Sequence, residues 1–168
     1  MNYDQMWTDV YGEIQDRGPC HRHLRRLVSR ILQDLDYKTV LDVGCGPGKN
    51  IPLLTNGKRL CRVTGIDISQ HAIARARISY PGDFYVLDIE KEALVGCWDL
   101  VFCSLVLEHL RDDMAALKNL REMTGEYLLI ATIGGNFERY KRWEERMGHV
   151  RNYSGGSWKK RSHPLVLK

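Results

Sequence analysis

The chain has 168 residues, 43% hydrophobic and 27% charged, with a formal net charge of +4. That is the length of one domain, able to bury a core without disulfide or metal staples, and no run approaches the roughly 18 apolar residues of a membrane span. Cysteines 20, 45, 61, 97 and 103 form no C-x-x-C and, like the histidines, miss zinc-finger spacing, so they read as small apolar fillers in a reducing compartment, with Cys61 and Cys103 on buried strands. The first residues, Met-Asn-Tyr-Asp-Gln-Met-Trp, lack the basic and apolar regions of a signal peptide, and a cytoplasmic location is expected by default. The charge is uneven: residues 139–168 carry nine Lys/Arg against two Glu. Such a tail can attract phosphates or nucleic acid, but a charged end of this kind reads first as solvated.

In chain order, residues 1–19 read as a lid or short helix. Gly18-Pro19 then opens an amphipathic helix over 20–35, with Leu24, Leu27, Val28, Ile31, Leu32 and Leu35 as its stripe. A strand is expected at 39–43, then a glycine-rich turn and a short helix at 49–55, ended by Asn56-Gly57. A second strand spans 61–66. Ser69 is placed to cap a helix over 70–79, and Pro81-Gly82 closes that region. Strands follow at 84–87 and 98–103. Asp112 and Asp113 favour a helix start, and Met114, Leu117, Leu120 and Met123 form its stripe to residue 123. A fifth strand is expected at 126–132 and a polar helix at 136–147. Residues 154–168 read as a basic tail in which only Leu165-Val166-Leu167 could pair as a strand.

Strands alternating with helices imply an α/β fold, a doubly wound and mainly parallel sheet. Three strands in succession end on an acid: Asp42 lies just before the turn, Asp67 comes nineteen residues after Gly48, and Asp88 twenty-one after Asp67. Parallel sheets gather functional residues at the carboxyl ends of their strands, and right-handed crossovers would bring these tips to one edge. A carboxylate at the second tip can accept two hydrogen bonds from a ribose diol. Glycine in the first turn lets backbone approach a ligand where a Cβ would obstruct. Asp67 and Asp88 could also each be helix caps.

The glycines are 44, 46 and 48, with Lys at 49. A dinucleotide site wants G-x-G-x-x-G, which counts against a nicotinamide-dependent oxidoreductase. The pattern D-x-G-x-G-x-G resembles motif I of the class I S-adenosylmethionine-dependent methyltransferases. Trp98–Ser104 resembles that family's fourth strand, Leu107-Glu108-His109-Leu110 the tetrapeptide that follows it, Tyr127–Thr132 its fifth strand, and His149–Ser154 the segment that introduces its last helix. The resemblance covers about residues 20–153. It implies a Rossmann-like fold, shortened at the C-terminus because no terminal strand pair is evident. An unpaired fourth or fifth strand edge would then invite a homodimer.

The same resemblance implies S-adenosylmethionine as cofactor, held by Asp42, Gly44, Cys45, Gly46, Gly48, Asp67, Ile68, Asp88, Ile89 and Ser104, with Arg22 as partner of its carboxylate. Asp67 takes the ribose and Asp88 the adenine side. The acceptor is expected to be a small molecule, methylated on oxygen or nitrogen. His109 is the candidate proton acceptor and His149 and Tyr153 are further candidates on the substrate side. No metal site is expected. The alternative is a non-catalytic cofactor-binding module with a regulatory role.

Overall fold

The computed structural model describes residue 4 and residues 18–58, 60–154 and 156. The lid expected before Gly18, Asp4 apart, and the basic tail with Leu165–Leu167, lie outside the described residues. The elements are α1 (Pro19–Gln33), β1 (Thr39–Val43), α2 (Ile51–Thr55), β2 (Arg62–Asp67), α3 (Gln70–Ser79), β3 (Asp83–Val86), β4 (Trp98–Ser104), α4 (Asp113–Met123), β5 (Thr124–Ala131) and α5 (Lys141–Arg146). Short 3-10 turns stand at Leu107–His109 and Glu138–Tyr140. The strand order is β3-β2-β1-β4-β5. That is the Rossmann-like order expected, with the reversal beside β1 that defines a doubly wound sheet.

Two compact units divide the chain, Met1–Val86 and Leu87–Lys168. In the first, β1 pairs in parallel with β2, Val43 opposite Ile66, and β2 with β3, Asp67 opposite Val86. Val40, Leu41, Asp42 and Val43 are all buried, the continuous burial of a parallel strand covered on both faces. Helix α3 starts where its cap predicts: Ser69 has extended backbone and its Oγ accepts the Ala72 N–H at 3.0 Å. Helix α1 corrects its expected stripe. Val28 and Leu32 are buried, whereas Leu27 and Ile31 are 42% and 45% exposed, so the covered face is narrower than the apolar spacing suggested. Cys61 lies just before β2, half-buried rather than on a buried strand.

In the second unit β4 pairs in parallel with β5, Ser104 opposite Ala131, with a register shift between Trp98 and Leu100. Asp112 caps α4, its Oδ1 accepting the Ala115 N–H at 3.0 Å. Leu117, Leu120 and Met123 are buried, but Met114 is exposed, so the covered face of α4 leaves out the first residue of the expected stripe. The polar helix expected over 136–147 is a 3-10 turn followed by the short α5. Among the described residues, strand β5, rather than β4, is an edge of the sheet, and its Leu128, Leu129 and Ile130 are half-buried.

Candidate functional site

Within the first unit, the glycine turn folds back on the end of β2. Gly44 and Cys45 N–H groups donate to the Ile66 carbonyl at 2.8 and 3.0 Å. Gly46, with φ 53°, donates its N–H to Asp67 Oδ2 at 2.8 Å, and Asp67 Oδ1 accepts the Ser69 N–H at 2.8 Å. Gly48 has φ 86°, and a Cβ there would stand 2.5 Å from the Tyr80 ring. Only glycine satisfies both conditions. The carboxylate of Asp67 is thus a tether as well as a candidate ligand. Asp4 joins the same corner: its Oδ1 accepts the Ser69 hydroxyl and, at 3.2 Å, the His71 N–H.

Asp42 is fully buried, and neither carboxylate oxygen has a hydrogen-bond partner. Such a group is costly in a dry interior unless something polar reaches it. Burial first, and then the Asp67 charge, push its carboxyl well above the usual carboxylate range. Burial also raises Asp67, against the hydrogen bonds from Ser69 and Gly46 that lower it. Buried acceptors beside a left-handed glycine turn fit a polar ligand carrying donors. Asp42, Gly44, Cys45, Gly46, Gly48 and Asp67 come together here. Cys45 is buried, and burial pushes its thiol upward. Ile68 is 44% exposed next to Asp67, and Arg22 is exposed on α1.

Asp88, Ile89 and Ser104 belong to the second unit. Asp88 is engaged as a turn cap: Oδ1 accepts the Glu90 N–H at 3.1 Å and Oδ2 pairs with Lys91 Nζ at 3.0 Å. Ile89 is buried, and its carbonyl accepts Asn119 Nδ2 at 2.7 Å. Ser104 ends β4 half-buried. Leu105, next to it, has φ 57°, an uncommon conformation for a bulky residue and one that concentrates at functional segments.

Beyond Leu105 the second unit holds a cluster of acids and imidazoles. Glu108 is fully buried; Oε2 accepts the Thr132 hydroxyl at 2.9 Å, and Oε1 has no hydrogen-bond partner. Burial pushes its carboxyl up to about 7. His109 Nδ1 meets the Gly148 carbonyl at 3.1 Å, and burial, aided by His149, holds this imidazole down to about 4. His149 is buried, with Nδ1 2.5 Å from Glu144 Oε2, and Asn152 Nδ2 donates to Glu144 Oε1 at 2.8 Å. The two imidazole rings stand edge to face, centroids 4.7 Å apart. Tyr153, expected on the substrate side, is instead buried, its hydroxyl donating to Asp113 Oδ2 at 2.8 Å while Arg151 Nη1 pairs with Asp113 Oδ1 at 3.1 Å. The burial of Glu144 has no sign in the sequence, because this acid stands in the polar stretch Lys141–Arg146.

A family profile described as a methyltransferase domain matches residues 14–163. Among similar curated proteins is a trans-aconitate 2-methyltransferase of Escherichia coli, 39% identical over 96 residues, 56% of this chain and 37% of that one. Another is a ubiquinone biosynthesis O-methyltransferase of Hydrogenovibrio crunogenus, 29% identical over 155 residues, 83% of this chain and 61% of that one. The chain therefore spans between about a third and two thirds of these relatives' length. Among solved structures, a chain from the Haloferax volcanii complex of a methyltransferase activator with a methyltransferase superposes with TM-score 0.81 at 19% identity, over 98% of this chain and 76% of that one. The N-methyltransferase NodS of Bradyrhizobium japonicum, solved with S-adenosyl-L-homocysteine, gives TM-score 0.68 at 24% identity over 89% and 80%.

Proposed function

Since the chain belongs to the class I S-adenosylmethionine-dependent methyltransferases, we propose that it binds S-adenosylmethionine and transfers its methyl group to an oxygen or nitrogen of a small molecule. The observation that carries this reading is the buried, partnerless Asp42 carboxylate beside a glycine turn tethered to Asp67. Asp67 accepts the ribose hydroxyls, and its bonds to Gly46 and Ser69 hold it in place to do so. Gly44, Gly46 and Gly48 keep the turn clear of side chains, so that backbone comes close to the cofactor. Asp42 faces the cofactor's cationic end, and the role of Asp88, Ile89, Ser104 and Arg22 is to complete the binding. When bound, the cofactor supplies a methyl group already activated by its sulfonium. What remains for the protein is to align the acceptor and exclude water. His109 and its neighbours in the second unit are assigned to the acceptor side.

The acceptors methylated by the similar curated proteins, a tricarboxylate and a quinone precursor, are the first to try. Calorimetry with S-adenosyl-L-homocysteine tests the cofactor site, with Asp67→Ala alongside. Micromolar binding abolished by the substitution supports the reading, and a folded protein that binds nothing refutes it. Transfer of labelled methyl to trans-aconitate or a ubiquinone precursor then tests the activity.

A second reading, cofactor binding without turnover, draws on β5. Its half-buried Leu128, Leu129 and Ile130 on an edge strand offer a surface for another chain or a second copy of this one. Tight cofactor binding, no transfer to any acceptor tried and a dimer by sedimentation would favour it.

A further inference from the structure

We propose that Glu108, His109 and His149 form a binding site for one divalent transition-metal ion, through one carboxylate oxygen and two imidazole Nε2 atoms. One candidate ligand atom from each of the three residues, a carboxylate oxygen and a ring nitrogen of each imidazole, lies within 4.8 Å of the other two. Ligands on one ion are separated by about 3–4 Å, a distance that small side-chain rotations reach from here.

The tautomers favour it. A carbonyl oxygen only accepts, so the His109 Nδ1 that meets the Gly148 carbonyl at 3.1 Å carries the proton. The His149 Nδ1 faces Glu144 Oε2 at 2.5 Å, and Glu144 is steadied from its other oxygen by Asn152. In both rings the lone pair is thereby assigned to Nε2. A histidine whose second nitrogen donates to a carboxylate or a carbonyl is the arrangement that orients imidazole on a metal. The acid gives the independent sign: Glu108 is fully buried, Thr132 occupies Oε2, and Oε1 has no hydrogen-bond partner. A buried carboxylate oxygen left bare costs free energy that a cation would recover. His109 is the partly exposed member of the three.

Two imidazoles with a single carboxylate suit zinc, cobalt, manganese or iron(II) rather than magnesium or calcium, which prefer oxygen ligands. Three protein donors leave positions for water or for an oxygen of a small molecule. All three donors belong to the second unit and none to the glycine turn, so the site stands whether or not the chain transfers methyl groups.

Tag-free protein stripped with a chelator is titrated with Zn2+ and Mg2+ by calorimetry and with Co2+ by visible absorption. Expected are one Zn2+ per chain, no Mg2+ binding, and cobalt d–d bands. Glu108→Gln and His149→Ala, each checked by circular dichroism, weaken Zn2+ at least tenfold. Should either variant unfold, X-ray absorption at the zinc edge of the unmodified protein decides: two imidazoles and no sulfur are expected. Absence of Zn2+ binding, affinity unchanged in both folded variants, or a sulfur ligand at the edge overturns the proposal.

Discussion

Asp67 Oδ2 accepts the Gly46 N–H at 2.8 Å across 21 residues of chain. The same carboxylate takes the Ser69 N–H through its other oxygen, so one side chain fixes both the glycine turn and the start of α3. Asp67→Asn keeps the size but replaces one acceptor by an NH2 donor. A buried N–H, of Gly46 or of Ser69, then loses its partner. The expected cost is about 1–3 kcal/mol, read as a lower urea midpoint with unchanged far-ultraviolet circular dichroism. An unchanged midpoint would show that the tether contributes nothing.

Asp42 makes stability depend on pH in a definite direction. Its carboxyl is raised well above 3.8 in the folded protein, so the folded state holds this proton to higher pH than the unfolded chain does. The folded state then binds more protons, and stability falls as pH rises above the ordinary carboxyl range. Asp67, also raised, has the same sign. In the ligand-free protein, Asp42→Asn removes the larger burden. Its melting temperature should exceed that of the parent at about pH 8, with the gap narrowing towards about pH 4.5. A gap that widens on acidification would contradict the assignment. Binding of S-adenosyl-L-homocysteine should weaken in the same variant.

Much of this was legible beforehand, and for local reasons. Thr39–Val43 and the Ser69-capped helix Gln70–Ser79 lie where the apolar runs, turn residues and cap put them. Leu27, Ile31 and Met114 were misjudged, because helical spacing says which residues share a face but not how much of it a neighbour covers.

Tyr153 ties the segment after α5 to the start of α4. Its hydroxyl lies 2.8 Å from Asp113 Oδ2 and 3.2 Å from the Leu107 carbonyl. Tyr153→Phe removes both contacts and leaves Asp113 with Arg151. A loss of about 1–3 kcal/mol is expected, since the acceptor is a charged group. Denaturant titration measures it, and faster hydrogen exchange confined to residues 149–154 would localise it.

Leu60 is 93% exposed and has φ 66°. A left-handed conformation costs an L-residue roughly 1–2 kcal/mol, and no packing of this side chain offsets it. Leu60→Gly relieves the strain while adding about 0.5–1 kcal/mol of unfolded-state freedom. A rise in melting temperature is expected, and a fall would refute the left-handed backbone at this position.

The sequence by itself determined the alternation of strands and helices, the acid at the tip of each of the first three strands, and the glycine turn. Each is set by side-chain period, backbone sterics or a cap within a few residues, so each is written locally. Only the tertiary structure decided that Asp42 is sealed without a partner and that Tyr153 is buried. It also brought Glu108 and His109 against His149, forty residues further along the chain. Their chemistry comes from lost water and from contacts between distant segments, and those exist only once the strands have paired and the helices have closed over them.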